Sequence, residues 1–175
     1  SLLDGEDFGL ERFSPCRGWP VPVLFVPGNH EYDNLDFDAA HARLRETCDR
    51  LGITWLERES LVLDGVRFVG TTLWSDFDAL AMQEPDTVRL VKQRHKAFRA
   101  ANFYLTKTGA TRRGEPLLAE AWRELGLECQ HWLRDAQARP FDGPTVVVTH
   151  FAPTLRSADP RYGLVPGSAG FCNAL

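Results

Sequence analysis

Two apolar runs, each delivering a histidine at its end, most narrow what this chain can fold into. The first, Val21-Pro-Val-Leu-Phe-Val-Pro27, reads as a short buried strand over residues 23–26. Pro27-Gly28 then turns the chain sharply, and Asn29, His30 and Glu31 follow. The second run, Thr145-Val-Val-Val-Thr149, ends in His150. Open α/β sheets place ligand sites at the carboxyl edge of their strands. Two strands that bring nitrogen and oxygen donors to one such edge outline part of a metal centre. The three consecutive valines predict that the second strand is central in its sheet.

Between these runs the pattern alternates. Asp36 is placed to cap a helix carrying Phe37, Ala40, Leu44, Cys48 and Leu51 on one face, with Gly52 ending it. Residues 53–56 read as a strand, and Asp64-Gly65, flanked by Leu61-Val-Leu63 and Val66-Arg-Phe-Val69, is a strong hairpin signal. A helix is predicted over 85–101, then a polar loop to Gly114. Pro116 is predicted as the first residue of a long helix whose stripe runs Leu118, Ala121, Trp122, Leu125, Cys129, Trp132, Leu133 and Ala136. That stripe is core packing. Residues 1–20 read as loop with a short helix. The residues alone therefore predict an α/β fold with a mixed sheet, in one domain.

Gly28-Asn29-His30-Glu31 after a strand, with a strand ending in His150 roughly 120 residues later, resembles the calcineurin-like metallophosphoesterases of the bacterial branch. The stretches 66–74 and 145–153 resemble that family too. Its pattern opens with Asp-x-His and Gly-Asp and closes with Gly-His-x-His, and none of these is in the chain. Asp4-Gly5-Glu6-Asp7 has the order reversed and no strand before it, so neither Asp4 nor Asp7 is assigned to metal. The resemblance implies an αββα sandwich of two face-to-face sheets, here a central fragment of 1–175 lacking both ends. The position of the basic stretch at about 75–115, between a strand and a helix, would suit a cap-like insertion over the sheet edge.

The resemblance further implies two divalent or trivalent metal ions (manganese, iron or zinc). They would generate a hydroxide that attacks a phosphate ester, a small molecule or a nucleotide. Asn29 and His150 would ligate the second metal, and His30 would protonate the leaving group or stabilise the phosphoryl charge. Glu31 would orient a ligand or bond to backbone amides, and Tyr32, Trp74 and Asp76 would line the substrate pocket. Blander readings compete for each residue. Asn is common in a Gly-Asn turn, either histidine can be a structural one, Glu31 can be solvated, and packing or turns explain the remaining three. His41, His95 and His131 fall in predicted helices and share no site.

Composition restricts the function classes. A net charge of −4 argues against a general nucleic-acid binder. No apolar run approaches the roughly 20 residues needed to span a bilayer. Cys16, Cys48, Cys129 and Cys172 are scattered, with no Cys-x-x-Cys, which fits a reducing cytoplasm. Residues 88–114 contain no Asp or Glu but carry Arg89, Lys92, Arg94, Lys96, Arg99, Lys107, Arg112 and Arg113. They are either a solvated helix face or a positive rim that draws anions. The alternative to an enzyme is a non-catalytic binding or scaffold module on the same fold. A serine or cysteine hydrolase has no motif to support it.

Overall fold

Local signals set the first helix. Asp36 Oδ1 accepts the Ala39 N–H at 3.2 Å, and Gly52, with φ 69°, ends α1 (Phe37–Leu51). Phe37, Ala40, Leu44, Cys48 and Leu51 are its buried face, as their spacing near 3.6 predicts. The computed structural model describes residues 7–175, and Asp4 lies outside them. Two 3₁₀ turns, Leu10–Phe13 and Pro15–Arg17, occupy the first twenty residues.

The strands are β1 (Leu24–Phe25), β2 (Thr54–Trp55), β3 (Glu59–Leu63), β4 (Val66–Thr71), β5 (Thr111–Arg112), β6 (Glu115–Pro116) and β7 (Thr145–Thr149). β1 and β2 pair in parallel. β4 pairs antiparallel with β3 and parallel with β7, so the sheet is mixed. Asp64 and Gly65 turn the β3–β4 hairpin with φ 50° and 77°, the doubly left-handed turn that Asp-Gly favours. The fold is thus mixed α/β, with α2 (Thr87–Thr108) and α3 (Ala119–Ala138) after β4. The core runs through α1, α3 and the inner face of β4, and includes Leu44, Cys48, Val69, Leu73, Trp122 and Leu133.

Three expectations need correction. β7 is not central: the order is β3-β4-β7, and Val146 and Val147 remain 42% and 39% exposed. A valine run satisfies a one-sided edge strand as well as a doubly buried one, so composition could not separate the two. α2 continues past residue 101 to Thr108, because Ala97, Ala101 and Leu105 extend its buried stripe until Gly109 (φ 67°) ends it. Pro116 does not start α3; it pairs with Thr111 across a hairpin whose turn residues Arg113 and Gly114 both have positive φ. α3 begins instead at Ala119, whose N–H donates to Asn102 Oδ1 of α2 at 2.8 Å.

Residues 75–115 hold α2 and the β5–β6 hairpin. Their positive charge is partly neutralised locally: Arg94 and Arg123 share the buried carboxylate of Asp78 (2.5 and 2.7 Å), and Arg112 pairs with Asp38 (3.1 Å). Beyond β7, 3₁₀ turns including Pro166–Gly170 fold back against α2. Asn173, fully buried, fixes this return: its side chain bonds the Leu73 carbonyl and the Asp76 N–H, both at 2.9 Å.

Candidate functional site

The carboxyl ends of four strands meet at one rim. The Leu56 N–H donates to Phe25 O beside β1 and β2, and the Phe151 N–H donates to Thr72 O beside β4 and β7. Thr72 Oγ1 lies 3.0 Å from Pro27 O, which joins the two sheets directly before Gly28. These backbone links bring residues 121 apart into contact: His150 Nε2 and Asn29 Oδ1 lie 2.9 Å apart.

Gly28 makes the approach feasible. A Cβ there would lie 2.5 Å from His150 Cε1 and 2.8 and 2.9 Å from its two ring nitrogens, so the imidazole lies against the glycine backbone. Glu31 Oε2 accepts the Gly28 N–H at 2.8 Å and closes the turn. His30, 63% exposed, has Nδ1 2.8 Å from Asp33 Oδ2. An ionised carboxylate only accepts, so Nδ1 carries the hydrogen and Nε2 is the nitrogen left to face a ligand. Asp33 was not singled out from the sequence, although its position three residues after His30 on a turn is a readable signal.

Burial holds the His150 pKa below the ordinary imidazole value, with His30 adding to that and Glu31 opposing it. Asn29 Oδ1 can only accept, so without an ion the neutral ring donates Nε2–H to it; ligation through Nε2 needs the tautomer with the hydrogen on Nδ1. The pair also has a suitable separation. Two donors at about 2.1 Å from one ion and at right angles to each other are about 3.0 Å apart. Asn29 Oδ1 and His150 Nε2 fit that edge. Two donors are nevertheless too few: a catalytic metal takes three protein ligands or more. Among the described residues no cluster of three or more His, Cys, Asp or Glu is positioned to hold one.

Beneath the rim lies Glu57, which sequence reasoning missed. It is 6% exposed, accepts the Thr72 N–H, and lies 2.9 Å from Thr72 Oγ1. Desolvation raises its pKa; hydrogen bonds from Thr72 and the Arg58 charge oppose that. Thr72 Oγ1 has one hydrogen and two acceptors beside it, Pro27 O and Glu57. A lone acidic residue after a two-residue strand leaves no sequence pattern that announces this role.

Of the remaining candidates, Trp74 lines a cavity that also has Asn29 in its wall. Tyr32 and Asp76 do not. Tyr32 is fully buried, with its hydroxyl 2.9 Å from His41 Nδ1. Asp76 is buried and accepts from Gln130 Nε2 (2.6 Å), Asp78 N (2.8 Å) and Ala174 N (3.2 Å). Both are tied into the core. His41, His95 and His131 lie on α1, α2 and α3. Asp7 sits in a turn, with Oδ1 accepting from Gly9 N. All four cysteines are free thiols, Cys16 exposed and the others buried.

Comparison with known proteins adds little. No family model matches the chain, and no solved structure matches it. A protein of Acanthamoeba polyphaga mimivirus, described as "Uncharacterized protein L509", is 24% identical over 153 residues. The alignment covers 80% of this chain and 50% of the viral protein, so the chain spans about half the length of that relative. Among the described residues no helix is long and apolar enough to cross a membrane.

Proposed function

We propose that the chain carries one half of a metallophosphoesterase centre, on a fold of the αββα sandwich type. The observation that carries the reading is the 2.9 Å approach of His150 Nε2 to Asn29 Oδ1 across a glycine that leaves room for the ring. A neutral amide oxygen and an imidazole suit manganese, iron or zinc. Held there, two such ions would acidify water and offset charge on the phosphoryl oxygens. With both ring nitrogens protonated and Nδ1–H held by Asp33, His30 would give a proton to the leaving oxygen through Nε2. Glu31 holds the turn by its bond to the Gly28 amide, and through the turn it orients Asn29.

Manganese-dependent hydrolysis of 4-nitrophenyl phosphate by the whole protein tests this. Asn29→Ala and His150→Ala are each expected to lower turnover by about 100-fold or more. Unchanged turnover in both variants would overturn the assignment. For the 175 residues alone, with two candidate ligands among the described residues, weak metal uptake and little hydrolysis are expected; stoichiometric metal and rapid turnover would contradict that. The shortage of ligands among the described residues also favours a second reading, a non-catalytic binding or scaffold module. Whole protein that neither takes up manganese nor hydrolyses phosphate esters would support this second reading.

A further inference from the structure

Beside the rim is a cavity of about 230 Å³ between α2, α3 and the returning turn Pro166–Gly170. Trp74, Phe77, Trp122 and Phe151 wall it, and Tyr104 and Phe171 are its exposed aromatic members (46% and 61%). Its polar side-chain groups are few: Asn29, Asp33, Ser75, Thr108, the Tyr104 hydroxyl and the Trp122 Nε1–H, a buried donor with no hydrogen-bond partner among the described residues. Asn29 and Asp33 belong to the candidate site itself. Ser75 Oγ donates to Ala169 O at 2.5 Å, and Thr108 Oγ1 donates to Leu105 O at 2.8 Å, so both hydroxyl hydrogens are engaged. The rings run without interruption toward the rim: Trp122 to Trp74 at 4.1 Å, Trp74 to Phe151 at 5.4 Å, and Phe151 to His150 at 5.0 Å between centroids.

We infer that this cavity receives the organic half of the ligand, and that this half is an apolar ring system rather than a nucleoside. Asn29 is shared between the cavity wall and the donor pair, so a ring in the cavity places its attached phosphate at the rim. An apolar cavity of about 150 Å³ admits benzene, so the larger space here suits a fused bicyclic ring. A nucleobase would bury several donors and acceptors against walls that offer few partners, which is unfavourable. The substrate class, a phosphate monoester of an aryl alcohol, rests on the phosphoesterase reading; occupancy of the cavity by an apolar ring does not.

Both parts are separable by experiment on the purified whole protein. Binding of 1-naphthol, 1-naphthyl phosphate, adenosine monophosphate and glycerol 2-phosphate is followed by tryptophan fluorescence, and manganese-dependent turnover of the three phosphates is measured alongside. Naphthyl phosphate is expected to bind on the order of tenfold more tightly than either other phosphate. Gly170→Leu should remove that preference by filling the cavity. A Cβ at Gly170 meets only Phe77, at 3.9 Å, so the variant is expected to fold. Ala101→Leu fills it from the α2 side and guards against a local failure of the first variant. Naphthol binding lost in both variants, with no turnover of any phosphate, supports the cavity assignment while overturning the phosphoesterase reading. Equal turnover of all three phosphates, unaffected by either variant, overturns the cavity assignment and leaves the phosphoesterase reading standing. Adenosine monophosphate bound as tightly as naphthyl phosphate overturns the choice of an apolar ring.

Discussion

Gly28→Ala is the smallest change that should separate Asn29 from His150. The added methyl would lie 2.5 Å from His150 Cε1, whereas carbon atoms in contact rest at about 3.5 Å or more, so the ring must retreat by roughly 1 Å. Backbone strain does not confuse the result, because Gly28 is not among the glycines with positive φ. Overpacking of this kind costs about 1–3 kcal/mol, which for a chain of this size lowers Tm by roughly 2–12 °C. The effect on the donor pair is larger in kind. Metal–ligand distances hold to about 0.2 Å, so a 1 Å displacement removes His150 as a partner of Asn29. Manganese titration of wild type and variant, with thermal unfolding beside it, is the assay. A fall in manganese affinity of about tenfold or more with the fold retained is expected. Manganese affinity within twofold of wild type, together with an unchanged Tm, would refute the steric argument.

Other consequences concern buried polar groups. Desolvation, with Arg58 and Arg45 adding, lowers the His41 pKa to about 4 from 6.5, so the unfolded chain binds the extra proton between those values. Stability should be fully present above about pH 6.5 and fall toward pH 4. The loss is about 1–2 kcal/mol after discounting for partial exposure, and it should be absent in His41→Gln when urea unfolding is compared across that range. Glu57 has the opposite sign. Its folded pKa is raised, so its contribution is present below about pH 4.5 and is lost as pH rises; Glu57→Gln should therefore stabilise the protein near pH 8. Glu57→Ala, which leaves the Thr72 N–H without its acceptor, should cost about 1–3 kcal/mol by the same measurement. Asp78→Ala strands Arg94 and Arg123 and should cost about 3 kcal/mol, measured by urea unfolding.

The parts of this fold that were legible in the sequence are those governed by nearest neighbours. The Asp36 cap, the Gly52 stop and the Asp64-Gly65 turn each rest on chemistry within a few residues, and each appears where its pattern places it. The Pro116 expectation failed because a two-residue turn at Arg113-Gly114 competed with a helix start, and the pairing of Thr111 with Pro116 decided it. β7's place at a sheet edge, Glu57 beneath the rim, and Asp76 tied to Gln130 and Ala174 depend on which distant segments meet, and no local pattern carries that information. The approach of Asn29 to His150 is the exception: two strand ends with donors could be read separately, and the structure brings them to 2.9 Å.

Selective broadening of side-chain resonances by substoichiometric Mn²⁺ tests most directly whether those two side chains grip one ion. The account expects the His150 ring and the Asn29 amide to broaden together and first. His41, His95 and His131 should be spared, and Asn29→Ala should abolish the effect at His150. Broadening that begins at His131 beside Asp135, or that reaches His150 equally well in Asn29→Ala, would contradict it.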